Sequence, residues 1–159
     1  MGAAYSGDAE EVARVLALLC DIDAQDSHGM TALMYGAMRG HTNIVQLIIH
    51  NKAKLELQSA HYFTALMYAV QYGYVETIQE LLNAKADPNV HGDYDIFDTP
   101  LTIAARKGFF PIVRLLVAAG ANVGIHAGYS QLTAECIARR EGHHEISEFL
   151  CYNEKRLLS

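Results

Sequence analysis

At 159 residues the chain has the length of one domain, and 51% hydrophobic residues with no Trp and three Pro suit a well-buried helical protein. A formal net charge of −6 argues against nucleic acid or an anionic membrane as partner, because both need clustered Lys and Arg, and pairs such as Arg139-Arg140 and Lys155-Arg156 are the most the chain offers. Cys20, Cys136 and Cys151 are odd in number and lack C-x-x-C spacing, which argues against disulfides or zinc and for a reducing compartment: the cytoplasm, with the nucleus as alternative.

In chain order, Ala3-Ala4-Tyr5-Ser6-Gly7 reads as the tail of a first helix, followed by a second carrying Val12, Ala13, Val15 and Leu16. Val15 to Leu19 is too short for a membrane span or a signal core. Thr31-Ala32-Leu33-Met34 predicts a helix start and Gly40 its end; Ile44, Val45, Ile48 and Ile49 then give a second helix one apolar face. The line returns as Thr64-Ala65-Leu66-Met67, Gly73, then Thr77, Ile78, Leu81 and Leu82. It is clearest from Thr99 to Val117. Thr99 caps, Pro100 fits the first helical position, Gly108 ends the helix, and Ile112, Val113, Leu116 and Val117 form the next apolar face. A last copy runs Thr133-Ala134-Glu135-Cys136, Gly142, then Ile146, Ser147, Leu150 and Cys151. There Glu135 replaces the leucine of Leu33, Leu66 and Leu101, and Ser147 the apolar residue of Val45, Ile78 and Val113. Those changes predict a capping unit whose outer face meets water.

Gly7, Gly40, Gly73, Gly108 and Gly142 are spaced by 33, 33, 35 and 34 residues, and a threonine stands nine residues before each of the last four. A fixed period of this size marks a stack of identical supersecondary units. Each full unit resembles the ankyrin repeat, with its signature T-P-L-H-x-A, then A-x-x-G-H, then a short apolar helix. The resemblance covers essentially the whole chain as a single domain, 1–159, with a partial unit in 1–30 and further units in 31–63, 64–98, 99–132 and 133–159. It implies an all-α ankyrin solenoid of helix-turn-helix units with short β-hairpin fingers between repeats. It also implies a module that binds proteins without catalysis. The signature histidine is replaced by Met34, Met67, Thr102 and Cys136, so the hydrogen bonds it supplies at the finger base are expected to be missing.

In the family, partners meet the fingertips and the ends of the first helices. Carried over, the fingertips hold His28 and Met30; Ala60, His61, Tyr62 and Phe63; Tyr94, Ile96 and Phe97; and Tyr129. The first-helix ends hold Tyr5, Arg39, Tyr72, Arg106 and Lys107. Exposed aromatics give large contact area for few rotamers, so a protein partner is expected here. The alternative for Phe63 and Ile96 is that they tuck back over a neighbouring finger. The third finger, longer by two residues, carries Asp93, Asp95 and Asp98 between apolar groups, which suits a partner with a basic-apolar patch. The densest group, Phe63, Tyr72, Tyr94 and Phe97, places the expected centre between the second and third fingers.

Other chemistry has little footing. His143-His144-Glu145 lacks the H-E-x-x-H order, and no G-x-S-x-G elbow, phosphate loop or G-x-G-x-x-G occurs. His28, His61, His91 and His126 fall in successive loops, but their spacing is not that of a zinc site, so no metal or cofactor is expected. Met1-Gly2-Ala3-Ala4-Tyr5-Ser6 fits a myristoylation pattern, yet Ala3-Ala4 occupy inter-helix packing positions. The chain begins in mid-repeat, so further repeats or another domain are expected ahead of Met1. A monomer that presents one face to a protein is the expected unit of function. The rival is a regulatory or targeting module of a larger enzyme, channel or effector.

Overall fold

The computed structural model describes residues 1–18, 20–92, 98–126 and 132–157. They hold ten helices and no strand. Contacts divide the chain into two compact units, Met1–Asp87 and Pro88–Ser159. Unit 1 contains α1 (Gly2–Ser6), α2 (Ala9–Ala17), α3 (Ala32–Arg39), α4 (Thr42–His50), α5 (Ala65–Tyr72) and α6 (Val75–Asn83). Unit 2 contains α7 (Pro100–Lys107), α8 (Phe110–Ala118), α9 (Ala134–Arg140) and α10 (His144–Leu157). In unit 1 the odd-numbered helices stack as one layer, α1 on α3 on α5, and the even-numbered ones as another, α2 on α4 on α6. In unit 2, α7 stacks on α9 and α8 on α10. The fold class is the all-α repeat solenoid that the resemblance implied.

The repeated threonines and glycines set these boundaries. Thr31, Thr64, Thr99 and Thr133 each accept the backbone N–H three residues on, at 3.2, 3.3, 3.2 and 3.4 Å, which satisfies an orphan donor of the first turn. At Gly108 the chain turns left-handed, with φ +73°, and the Phe109 N–H reaches back to Ala104 O at 3.0 Å. A second constraint holds the same glycine. A Cβ on Gly108 would lie 2.5 Å from the His143 ring, one repeat later. His143 Nε2 sits 3.2 Å from Arg106 O, so its N–H donates there and locks the imidazole on the glycine. His41 covers Gly7 in the same way, with Nε2 3.2 Å from Tyr5 O, and Tyr74 covers Gly40 with its ring. His41, Tyr74 and His143, each the residue after a helix-ending glycine, are thus keys fitted to the preceding repeat.

The linkers are registered as well. Asp23 Oδ1 accepts the Lys54 N–H at 2.8 Å, and Asn89 Oδ1 accepts the Asn122 N–H at 2.7 Å. Between the layers lie Leu33, Ile44, Ile48, Leu66, Ile78 and Leu81 in unit 1, and Leu101, Ile103, Ile112, Leu116 and Leu150 in unit 2, all buried. Met34 and Met67 are buried with them, so the residues replacing the signature histidine serve as core.

The expectation for the last repeat needs correction. Glu135 and Ser147 do not face water; they are 8% and 6% exposed. Ser147 Oγ donates to Glu135 Oε1 at 2.6 Å, and Arg139 Nη2 donates to the same oxygen. In the other repeats those two positions hold an apolar pair between first and second helix. Here a hydrogen-bonded pair fills the same space, because an acid enters that layer only with donors to meet it.

Candidate interaction surface

The fingers of unit 1 are tight five-residue turns. Asp26 N donates to Met30 O at 3.1 Å and Ser59 N to Phe63 O at 3.0 Å, each closing a turn across three residues. A loop that short closes one pair and leaves no length for a ladder. The expected β-hairpins are therefore turns, with no strand among the described residues. Ala60 N donates to His28 O at 2.8 Å and ties the two fingers together.

The hydrogen bonds expected to be missing at the finger base are made by other residues. Asp26 Oδ1 accepts the N–H groups of His28 (2.8 Å) and Met30 (2.9 Å), and the Tyr35 hydroxyl donates to Oδ2 at 2.6 Å. In the second finger Ser59 Oγ accepts from His61 and Phe63, both at 3.3 Å, and pairs with the Tyr68 hydroxyl at 3.0 Å. A tyrosine nine residues on, from the following first helix, takes the histidine's place. The Tyr35 hydroxyl, then the Met30 N–H, hold the Asp26 carboxyl below its usual value against an opposing desolvation; in turn Asp26 holds the Tyr35 hydroxyl above its own. A depressed carboxyl pKa contributes stability that is present above the ordinary carboxyl range and lost as pH falls through the folded value. A raised phenol pKa contributes stability lost as pH rises through its folded value. The finger should therefore stay locked between about pH 4 and 10. Amide shifts of His28 and Met30 in a pH titration should report the acid step, and Asp26→Asn should abolish it. A titration identical in the two proteins would refute the lock.

Outward from this base lies the surface expected to bind. Tyr5, His28, Arg39, His61 and Tyr72 are exposed. The Arg39 guanidinium lies 3.9 Å from the Tyr5 ring centroid, and Tyr5 meets Tyr35 edge to face at 5.7 Å. Tyr72 and Tyr74 stack at 6.4 Å and are 53% and 36% exposed. Two expected contacts are withdrawn from the surface. Met30 is buried, 6% exposed, because its N–H is held by Asp26 at the finger base. Phe63 is half-buried with its ring 5.4 Å from Tyr68, so it packs on the helix that follows its own finger.

Tyr62 takes the outward place instead, 46% exposed. Its φ is +60°, a left-handed conformation that costs a side-chain-bearing residue about 1–2 kcal/mol. The residue in register one repeat earlier is Gly29, at φ +69°. Glycine is required there, since a Cβ would stand 2.8 Å from the Ala60 nitrogen. The second finger thus carries an aromatic side chain in a turn shaped for glycine.

In unit 2, Lys107 is exposed, but Arg106 is already engaged. Its Nη1 and Nη2 donate to Asp98 at 2.9 and 2.6 Å. Asp98 is 5% exposed and also accepts from Thr102 Oγ1, so it is a buried partner of α7 and not a carboxylate of an exposed acidic fingertip. Tyr94, Phe97 and Tyr129, with Asp93, Asp95 and Ile96, lie outside the described residues, so of the expected centre between the second and third fingers only Phe63 and Tyr72 are described.

The ankyrin-repeat family model matches residues 1–92 as three copies, and a single ankyrin repeat matches residues 98–127. The chain belongs to the ankyrin-repeat family. No curated protein is similar enough to it to count as a match. The family match stops short of the last repeat, where Glu135 and Ser147 depart from the apolar pattern, yet α9 and α10 pair there like the other helices. Ankyrin repeats are generally protein-interaction modules and typically not catalytic. Among the described residues no three His, Cys, Asp or Glu side chains converge as metal ligands, and no helix is long and apolar enough to cross a membrane.

Proposed function

We propose that this ankyrin domain binds another protein through the fingertips and first-helix ends of unit 1, without catalysis of its own. The observation that carries the reading is Tyr62. An aromatic left 46% exposed in a left-handed turn gains little from packing, and strain of that kind points to work for the side chain outside the fold. Tyr5, Tyr72 and Tyr74 add exposed ring area on the same unit, and Tyr is among the residues that dominate interface energetics. The net charge of −6 supports a protein in place of nucleic acid or an anionic membrane. The reading assigns the chain to the cytoplasm or nucleus as a monomer without cofactor.

Tyr62→Gly separates the two roles. Relief of the left-handed strain should leave stability unchanged or raised, by up to about 1 kcal/mol, after allowing for the extra freedom glycine gives the unfolded chain. Affinity for the bound protein, measured by calorimetry, should fall about tenfold or more, as for a moderate hot spot. If the variant binds at wild-type strength, this fingertip is not the working surface.

A further inference from the structure

We propose that Arg39 is the specificity residue of this face, and that it receives a single Asp or Glu side chain within an extended segment of the partner. An apolar neighbour of that acid enters the cleft beside Tyr5 and Tyr35. The inference rests on the protein-binding reading of unit 1 and adds the chemistry of what is bound.

Arg39 is exposed in the last turn of α3, with its guanidinium carbon over the Tyr5 ring, 3.9 Å from the centroid. A guanidinium seated on a ring is held in place by it and keeps N–H groups for a two-pronged carboxylate contact. No carboxylate pairs with it among the described residues, whereas Arg14, Arg106, Arg139 and Arg140 each hold one. The carboxylate nearest the cleft is not free to fill the vacancy. Asp26 is taken by the Tyr35 hydroxyl and by the His28 and Met30 N–H groups.

Next to the stack lies an open cleft of 420 Å³ lined by Met1, Gly2, Tyr5, Asp26 and Tyr35. Two faces of it are aromatic, with Tyr5 and Tyr35 at right angles, so it takes an apolar side chain of moderate size. The surroundings limit how acidic the segment is. A chain of net charge −6 repels further negative charge, and one stacked arginine compensates one carboxylate and not a run of them. The recognised feature is therefore one acid beside one apolar residue.

A library of random short peptides, displayed with their C-termini blocked by fusion and selected on the whole chain, provides the test. Enriched sequences should pair one Asp or Glu with an aromatic or aliphatic neighbour. Synthetic copies should bind Arg39→Gln at least tenfold more weakly, and Arg39→Lys should restore only part of the loss, since an ammonium neither stacks nor forks. Changing the peptide's acid to its amide should remove the difference between wild type and Arg39→Gln. Enrichment of basic or charge-free sequences, no enrichment, or acidic peptides indifferent to Arg39→Gln would each overturn the proposal. Tyr62→Gly and Tyr72→Ala tell which reading has failed. If selected peptides ignore Arg39 but weaken on these variants, the face binds protein without an acid anchor. If they ignore all three, the face itself is misassigned.

Discussion

Replacing Gly108 by alanine should destabilise unit 2 by about 2–3 kcal/mol, part of it arising from a ring one repeat away. The left-handed conformation accounts for about 1–2 kcal/mol, and displacing His143 from Arg106 O forfeits a hydrogen bond of about 1 kcal/mol. Gly142 is the control. Its φ is +82°, but nothing lies within 4 Å of where its Cβ would stand. Gly142→Ala should therefore show the conformational cost alone, about 1–2 kcal/mol. Gly108→Ala combined with His143→Ala should cost less than the sum of the two single changes, because removal of the ring makes room for the new methyl. Urea unfolding of the four variants measures all of this. Equal losses at Gly108 and Gly142, or strict additivity in the double variant, would show that the ring does not key the repeats.

The second large effect concerns the polar pair between α9 and α10. Ser147→Val alone should cost about 2 kcal/mol, since it strips one donor from a buried carboxylate. Glu135→Leu together with Ser147→Val should instead raise stability above wild type by about 1–3 kcal/mol. It restores the apolar pair of the other repeats, and well-packed apolar groups usually exceed a buried polar pair in stability. The Arg139 side chain is 66% exposed, so losing its ion pair subtracts little. Thermal unfolding of wild type, single and double variants decides the matter. A double variant less stable than Ser147→Val alone would mean that the pair is required for the fold of the last repeat.

The threonine caps, the glycine period and the apolar faces were legible because each is a local rule repeated in register. What was misread depends on partners far apart in the chain. Replacement of the signature histidine suggested bare finger bases, yet Asp26 with Tyr35 and Ser59 with Tyr68 share a nine-residue separation in consecutive repeats. That recurrence was present in the sequence and pointed to a substitute pair. Glu135 and Ser147 are likewise paired departures, polar at two positions that face each other across one repeat, which signals mutual satisfaction more than exposure. Tyr62 was readable from its register with Gly29, since a non-glycine residue at a glycine position is a strained one. The stacking of Arg39 on Tyr5 had no such signal. Nothing in the spacing distinguishes an arginine seated on a ring from one paired with an acid, and Arg106, at the equivalent first-helix end, proved to be the paired kind.

The central claim is that the fingertips and first helices of unit 1, and not its second-helix face, meet a protein. A photo-crosslinking amino acid placed singly at positions 62 and 72 tests that face directly. Positions 46 and 79 on α4 and α6, where Gln46 and Gln79 are exposed, serve as the comparison. Each protein is irradiated in extract of its native cell, and crosslinked chains are identified by mass spectrometry. The account predicts the same protein captured from positions 62 and 72, with none from 46 or 79. Capture from the second-helix positions alone would contradict it.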